Sequence, residues 1–213
     1  MKDENRLCIK NLTVAYKDKV VLDRINLHLY SKCYGLMGKS GIGKSTFIKA
    51  ILGLVSYSGE IYLNDTLIKD NRRGFQVVFQ NSFKSFDPTF TIRQSIDELC
   101  KINGTDFDLD ELFESYGMSR NILDKKPKDL SGGELQRASV IRATAQKPKV
   151  LLLDEPTASL DVLNQKKILQ MIKSIEDTVI ILVSHDSKTI NYACEEKLVL
   201  VKEERSIILD KSN

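Results

Sequence analysis

The chain has no cysteine pairing pattern, no marked excess of charge, no apolar run of membrane length and no repeated or low-complexity segment. Its four cysteines, Cys8, Cys33, Cys100 and Cys194, are scattered without a C-x-x-C pair. That argues against a zinc site or a disulfide framework and for free thiols in a reducing compartment. Basic and acidic residues number 32 and 29, with no basic block standing apart from acids, so no nucleic-acid partner is expected. The longest apolar runs, such as Val179 to Val183, are about a quarter of a membrane span. The amino-terminal Met-Lys-Asp-Glu-Asn-Arg leads into no stretch of signal-peptide type. The expectation is a chain that does not itself cross a membrane and would borrow any membrane role from a partner.

What is present suits one domain, or one domain with a subdomain. With 213 residues, 42% of them hydrophobic, the chain can bury a core without a disulfide or metal staple. Residues 7 to 29 alternate apolar and polar side chains (Ile25, Leu27 and Leu29 against Asn26 and His28), predicting short antiparallel strands with a turn at Asp18-Lys19. Cys33 to Met37 reads as a strand entering a glycine cluster, and a helical pattern follows from Lys44 to Leu54. Gly59 to Leu63 and Phe75 to Phe79 read as further strands. From Asn81 to Gln146 the pattern becomes helical, punctuated by Pro88, Gly104, Gly117 and Pro127. Val150 to Leu153 and Val179 to Val183 are apolar without alternation, as in strands covered on both faces of a parallel sheet. Between them Leu163, Ile168, Leu169, Ile172 and Ile175 recur at helical spacing, and Leu198 to Val201 with Ile207 to Leu209 predict a closing hairpin.

Gly38-Lys39-Ser40-Gly41-Ile42-Gly43-Lys44-Ser45-Thr46 matches G-x-x-x-x-G-K-[ST] in full. Glycines let successive backbone N–H groups converge at a helix start, forming an anion nest. Lys44 is then placed for the β- and γ-phosphates, the Ser45 hydroxyl for Mg²⁺, and Thr46 for the α-phosphate. The competing reading, a glycine-rich turn before a helix, does not account for the strand–loop–helix context.

Val150-Leu151-Leu152-Leu153-Asp154-Glu155-Pro156 puts two carboxylates at the carboxyl end of a buried strand, the edge at which open α/β sheets bind ligands. Asp154 is expected to hold Mg²⁺ and Glu155 to polarise an attacking water. A solvated strand exit is the alternative, and the preceding phosphate loop weighs against it.

Leu130-Ser131-Gly132-Gly133-Glu134-Leu135-Gln136-Arg137 resembles the signature sequence of ABC ATPases, and it stands in the family's order between the phosphate loop and the Asp154-Glu155 strand. The resemblance extends over nearly the whole chain. It implies a P-loop NTPase fold of RecA-like, ABC type, with an antiparallel β subdomain, a core from 1–80 and 147–213, and a helical subdomain at 81–146. It also implies an ATPase that drives a transporter. Gln80 resembles the glutamine linking the metal site to the helical subdomain, and Ser159-Leu160-Asp161 the D-loop. His185 resembles the switch histidine. Tyr16 resembles the adenine-stacking aromatic, although a tyrosine in a half-buried strand equally just packs.

Ser131 and Glu134 also form a capping-box pattern, and both readings can hold together. The family implication is that Ser131, Gly132, Gly133 and Glu134 meet ATP on an opposing ATPase subunit, identical or different. The resemblance further implies transmembrane permease subunits, indirectly a solute-binding protein, and a place on the cytoplasmic face of the membrane. Phe83, Phe86 and Phe90 either line the permease groove or form the subdomain core.

Val78 to Pro88 is similar to the Q-D-P-x-x-S-L-N-P pattern of dipeptide, oligopeptide and nickel importers, departing from it at Asn81, Ser82, Phe86 and Asp87. The rival class is a soluble family member acting in DNA repair, translation or cell division. The long coiled-coil or zinc insertions and paired cassettes of the first two groups are missing here, and Glu155 with His185 speaks against a non-hydrolysing scaffold.

Overall fold

The structure is a computed structural model that describes residues 4–17, 19–69, 72–106 and 108–210. Its strands are β1 (Arg6–Tyr16), β2 (Lys19–Tyr30), β3 (Cys33–Met37), β4 (Ser58–Leu63), β5 (Thr66–Leu67), β6 (Phe75–Val78), β7 (Val150–Asp154), β8 (Val179–Val183), β9 (Glu196–Val201) and β10 (Ser206–Asp210). Its α-helices are α1 (Lys44–Ile51), α2 (Ile92–Asn103), α3 (Leu109–Ser115), α4 (Gly132–Thr144), α5 (Val162–Lys173) and α6 (Ser187–Ala193). Of the expected Asp18-Lys19 turn, Asp18 lies outside the described residues and Lys19 opens β2. The first helix ends three residues before the expected Leu54, because the chain turns through Gly53 at φ 70°.

The strands form two sheets. One is antiparallel, in the order β2-β1-β4-β5; the other runs β10-β9-β3-β8-β7-β6. Within the second, β9, β3, β8, β7 and β6 pair in parallel, and only β10 runs against its neighbour. This is the α/β arrangement expected, including the closing hairpin.

The apolar runs fail to alternate because both faces of the second sheet are covered. Val150, Leu152, Val179 and Ile181 join one core with α1 and the antiparallel strands. Leu151, Leu153, Ile180 and Leu182 join the other, with residues of α2 to α6. Among the described residues no helix is long and apolar enough to cross a membrane.

All four cysteines are free. Two that are remote in sequence meet in space, Cys33 Sγ lying 3.2 Å from Cys194 Sγ, because β9 pairs beside β3. Burial and its partner thiol raise the Cys33 pKa well above the ordinary thiol value, the hydrogen bond to Cys194 being the larger cause.

The helical stretch meets the second sheet's helices at a tight point. A Cβ on Gly133 would sit 2.6 Å from Asn164 Cγ, and Asn164 is held by Asp161, with Nδ2 donating to Oδ2 at 2.6 Å. The first turn of α4 therefore rests almost directly on that of α5. Gly133→Ala is expected to destabilise by about 1–3 kcal/mol through overpacking, despite the better helix propensity of alanine. Combined with Asn164→Ala it should be markedly non-additive, the double variant losing less than the sum by about 1 kcal/mol or more. Urea unfolding of the four proteins measures this, and strict additivity would contradict the contact.

Candidate functional site

The glycine loop leaves β3 and delivers the chain to α1. Gly43, the N-cap residue, sits at φ 128° and supplies no side-chain cap, a conformation L side chains rarely adopt. The first N–H groups of α1 are therefore left for an external acceptor. Lys44 is only 7% exposed. Its Nζ donates to the carbonyls of Gly38 at 2.7 Å and Lys39 at 3.1 Å, so it braces the loop from within.

A cavity of about 490 Å³ opens over this loop, lined by Val21, Ser40, Gly41, Gly43, Lys44, Ser45, Thr46, Glu155, Val183 and His185. Its far wall follows from register. β7 and β8 pair with Asp154 opposite Val183, so the residues just beyond each strand emerge side by side. Glu155 then turns at φ 52°, its N–H donating to the Val183 carbonyl at 3.0 Å. That kink brings its carboxylate to His185, whose Nδ1 donates to Oε2 at 2.8 Å. Asp154 stays behind the loop in hydrogen-bond contact with Ser45; burial, the larger influence, raises its pKa and the Ser45 bond opposes this. The Ser45 and Asp154 oxygens are hard donors of the kind Mg²⁺ takes together with substrate phosphates, so this pair fits the ion.

Glu155 and His185 also line a second cavity of about 270 Å³, with Gln80 and Ser159. Gln80, the acidic pair, the histidine and the start of the Ser159-Leu160-Asp161 turn thus converge on one sheet edge. Tyr16 is 46% exposed at the end of β1 and does not line the main cavity, where Val21 of β2 does. Gly38, Lys39 and Ile42 shape the loop without facing that space.

Ser131 and Glu134 make the anticipated capping box: the Ser131 N–H and hydroxyl donate to Glu134 Oε2 at 2.8 and 2.7 Å, and the Glu134 N–H donates back to Ser131 Oγ. Ser131 and Gly132 are exposed and line neither cavity. Asp161 proves to be the N-cap of α5, accepting from the Asn164 N–H at 3.0 Å; an Asp just ahead of a helical run was the available signal.

Sequence reasoning also missed Gln136 and Arg142 of α4. Gln136, 4% exposed, accepts from the Ser82 hydroxyl and donates to the Phe79 carbonyl at 3.3 Å. Arg142 donates to the Ser85 carbonyl and lies over the Phe86 ring at 4.3 Å; burial lowers its pKa to about 10. The residues flanking Gln80 are thus tied to the helix that Ser131 caps. The three phenylalanines separate: Phe86 is buried, Phe90 half-buried and Phe83 exposed.

Comparison with known proteins gives the family. The family model described as ABC transporter matches residues 22–158, and one described as an AAA domain matches residues 126–191. The chain is 31% identical over 204 residues to the nickel import ATP-binding protein NikE of Escherichia coli strain K12, covering 87% of this chain and 76% of that protein. The same figures hold for NikE of Shigella dysenteriae serotype 1. Among solved structures, cbiO1 of Clostridium perfringens, part of the ABC transporter complex cbiONQ, superposes with a TM-score of 0.77 at 25% identity, covering 95% of this chain and 86% of that one.

The helix caps generate a pH prediction. Backbone N–H groups hold Glu134, Asp161 and Asp186 below the usual carboxylate range, from Ser131, Asn164 and Lys188 respectively. A carboxylate depressed in this way contributes stability that is full above its unfolded value, near 4, and is lost as pH falls through its folded value. Asp161→Asn keeps an acceptor at the helix start without a titrating proton. Its urea midpoint should therefore fall less between about pH 5 and pH 3 than that of the wild type. An unchanged acid dependence would remove Asp161 from this account.

Proposed function

Because the chain belongs to the ABC transporter family and is an ATP-hydrolysing subunit of it, we propose that its reaction centre is the edge where Glu155 and His185 face the Gly38–Thr46 loop. The observation that carries this reading is the Glu155–His185 hydrogen bond at the wall shared by two cavities. Backbone N–H groups of the loop and α1 hold the phosphates, and Lys44 exchanges its loop carbonyls for phosphate oxygens. Ser45 and Asp154, with Gln80, would hold Mg²⁺, which would supply charge neutralisation on the phosphates. His185, donating through Nδ1, fixes the Glu155 carboxylate so that Glu155 orients and deprotonates water at the terminal phosphate. Val21, which lines the main cavity, and the exposed Tyr16 are the candidates to meet the adenine ring.

Ser131 to Glu134 serve the ATP of a second ATPase subunit, identical or different, and Ser159 to Asp161 meet that subunit. The exposure of Ser131 and Gly132 away from the chain's own cavities supports this. Residues 81–146 form the helical subdomain, and exposed Phe83 meets a permease. The likeness to nickel import proteins, together with the Val78 to Pro88 pattern, supports an importer of nickel, metal chelates or small peptides, working at the cytoplasmic face of the membrane.

Glu155→Gln is expected to lower ATP turnover by about 10²–10⁴-fold, the usual worth of a general base, while ATP affinity stays within a few-fold of wild type. Steady-state phosphate release and equilibrium ATP binding measure the two, and near-normal turnover would place the base elsewhere. Lys44→Ala, by contrast, should weaken ATP binding itself, because it removes both the phosphate cation and the brace of the loop. For the cargo, the complex with its permeases reconstituted in vesicles should accumulate nickel or a small peptide only with ATP; uptake of neither would reject the importer assignment.

A further inference from the structure

A cavity of about 350 Å³ lies between α3, α4 and α5 and shares no lining residue with the two at the reaction centre. Arg137 of α4 faces it although the residue is only 8% exposed, and its Nε has no hydrogen-bond partner. The side chain makes no ion pair among the described residues. This sets it apart from Arg142, five residues on, whose buried guanidinium has the Ser85 carbonyl and the Phe86 face. The nearest acid acting on Arg137 is Glu134, and that carboxylate is already taken by Ser131.

Lys167 of α5 lines the same space, also without an ion pair among the described residues, and no carboxylate lines it. Ser115 and Ser174 donate their hydroxyl protons to the Leu112 and Met171 carbonyls. The side-chain donors left facing the cavity are thus the Arg137 guanidinium, the Lys167 ammonium, the Gln170 amide and the Tyr116 hydroxyl. A guanidinium withdrawn from water is disfavoured without a counter-charge, and burial lowers its pKa accordingly. A planar fork of donors beside a second cation is the arrangement that binds phosphate oxygens.

We propose that this cavity binds a phosphate group, either inorganic phosphate or the phosphate of a small metabolite, between Arg137 and Lys167. The occupant would bridge α4, capped by Ser131, to α5, capped by Asp161. It would therefore fix how the helical stretch sits on the sheet. Because phosphate is also released by the reaction proposed above, the site could be filled by product.

The test separates this cavity from the phosphate loop by first saturating the full chain with Mg²⁺ and a non-hydrolysable ATP analogue, which fills every phosphate position of the loop. Inorganic phosphate, added at constant ionic strength, should raise the thermal midpoint saturably, as any ligand specific to the folded state does. Lys167→Gln, at an exposed position, should need about tenfold more phosphate for the same rise, the scale of one lost charged contact. Arg137→Met should abolish the response, and Lys44→Ala should retain it. Glucose 6-phosphate acting at lower concentration than phosphate would identify a phosphate ester as the preferred form; the reverse order would identify the free anion. The proposal is overturned if the wild type does not respond, if Lys167→Gln responds like the wild type, or if Lys44→Ala alone removes the effect.

Discussion

The register between β7 and β8 is the constraint on which the proposed catalytic edge depends. With Asp154 paired to Val183, the chain leaving each strand emerges at the same level, and two residues that lie 30 apart in sequence come within hydrogen-bond distance. β3 pairs with β8 on its other side, so the glycine loop opens onto the same edge. A slip of one residue would exchange the two faces of the strand. Both faces are buried in separate cores, so such a slip would misfit each core at once. The packing that stabilises the sheet therefore also fixes the geometry of the proposed reaction centre.

α4 extends that geometry into the helical stretch. Gln136 and Arg142 fasten it to the segment beyond β6, through Phe79, Ser82, Ser85 and Phe86. At its start, Gly133 lies against Asn164, which Asp161 holds in turn. Polar groups around Gln80, Ser131 and Asp161 are thus joined by a short series of direct contacts. A shift of α4 relative to the sheet would strain all three places together.

Local chemistry made much of this legible. The parallel strands were readable from apolar runs without alternation, the loop from glycine and lysine spacing, and the acidic edge from two carboxylates ending a buried strand. The capping box at Ser131 was readable because its two members are three residues apart. The contacts between α4 and the Phe79–Phe86 segment were not, since Gln136 looks like any polar helical residue until its burial is known. The same holds for Arg137, whose lack of a partner is a property of the folded neighbourhood. Cys33 and Cys194 meet only because β9 pairs beside β3. The end of α1 fell three residues short of Leu54 because Gly53, at φ 70°, turns the chain.

Strand order also dictates a sequence of events during synthesis. β1 and β2 are neighbours in the chain and can close as a hairpin as soon as they are made. β3 is different: both of its partners, β8 and β9, are drawn from far later in the sequence. The glycine loop that follows β3 is therefore made well before the strands that wall it. Until then β3 presents two open edges, and long-range parallel pairing of this kind is slow and exposed to aggregation. For a nascent chain, competence to bind nucleotide and completion of the sheet are nearly the same event.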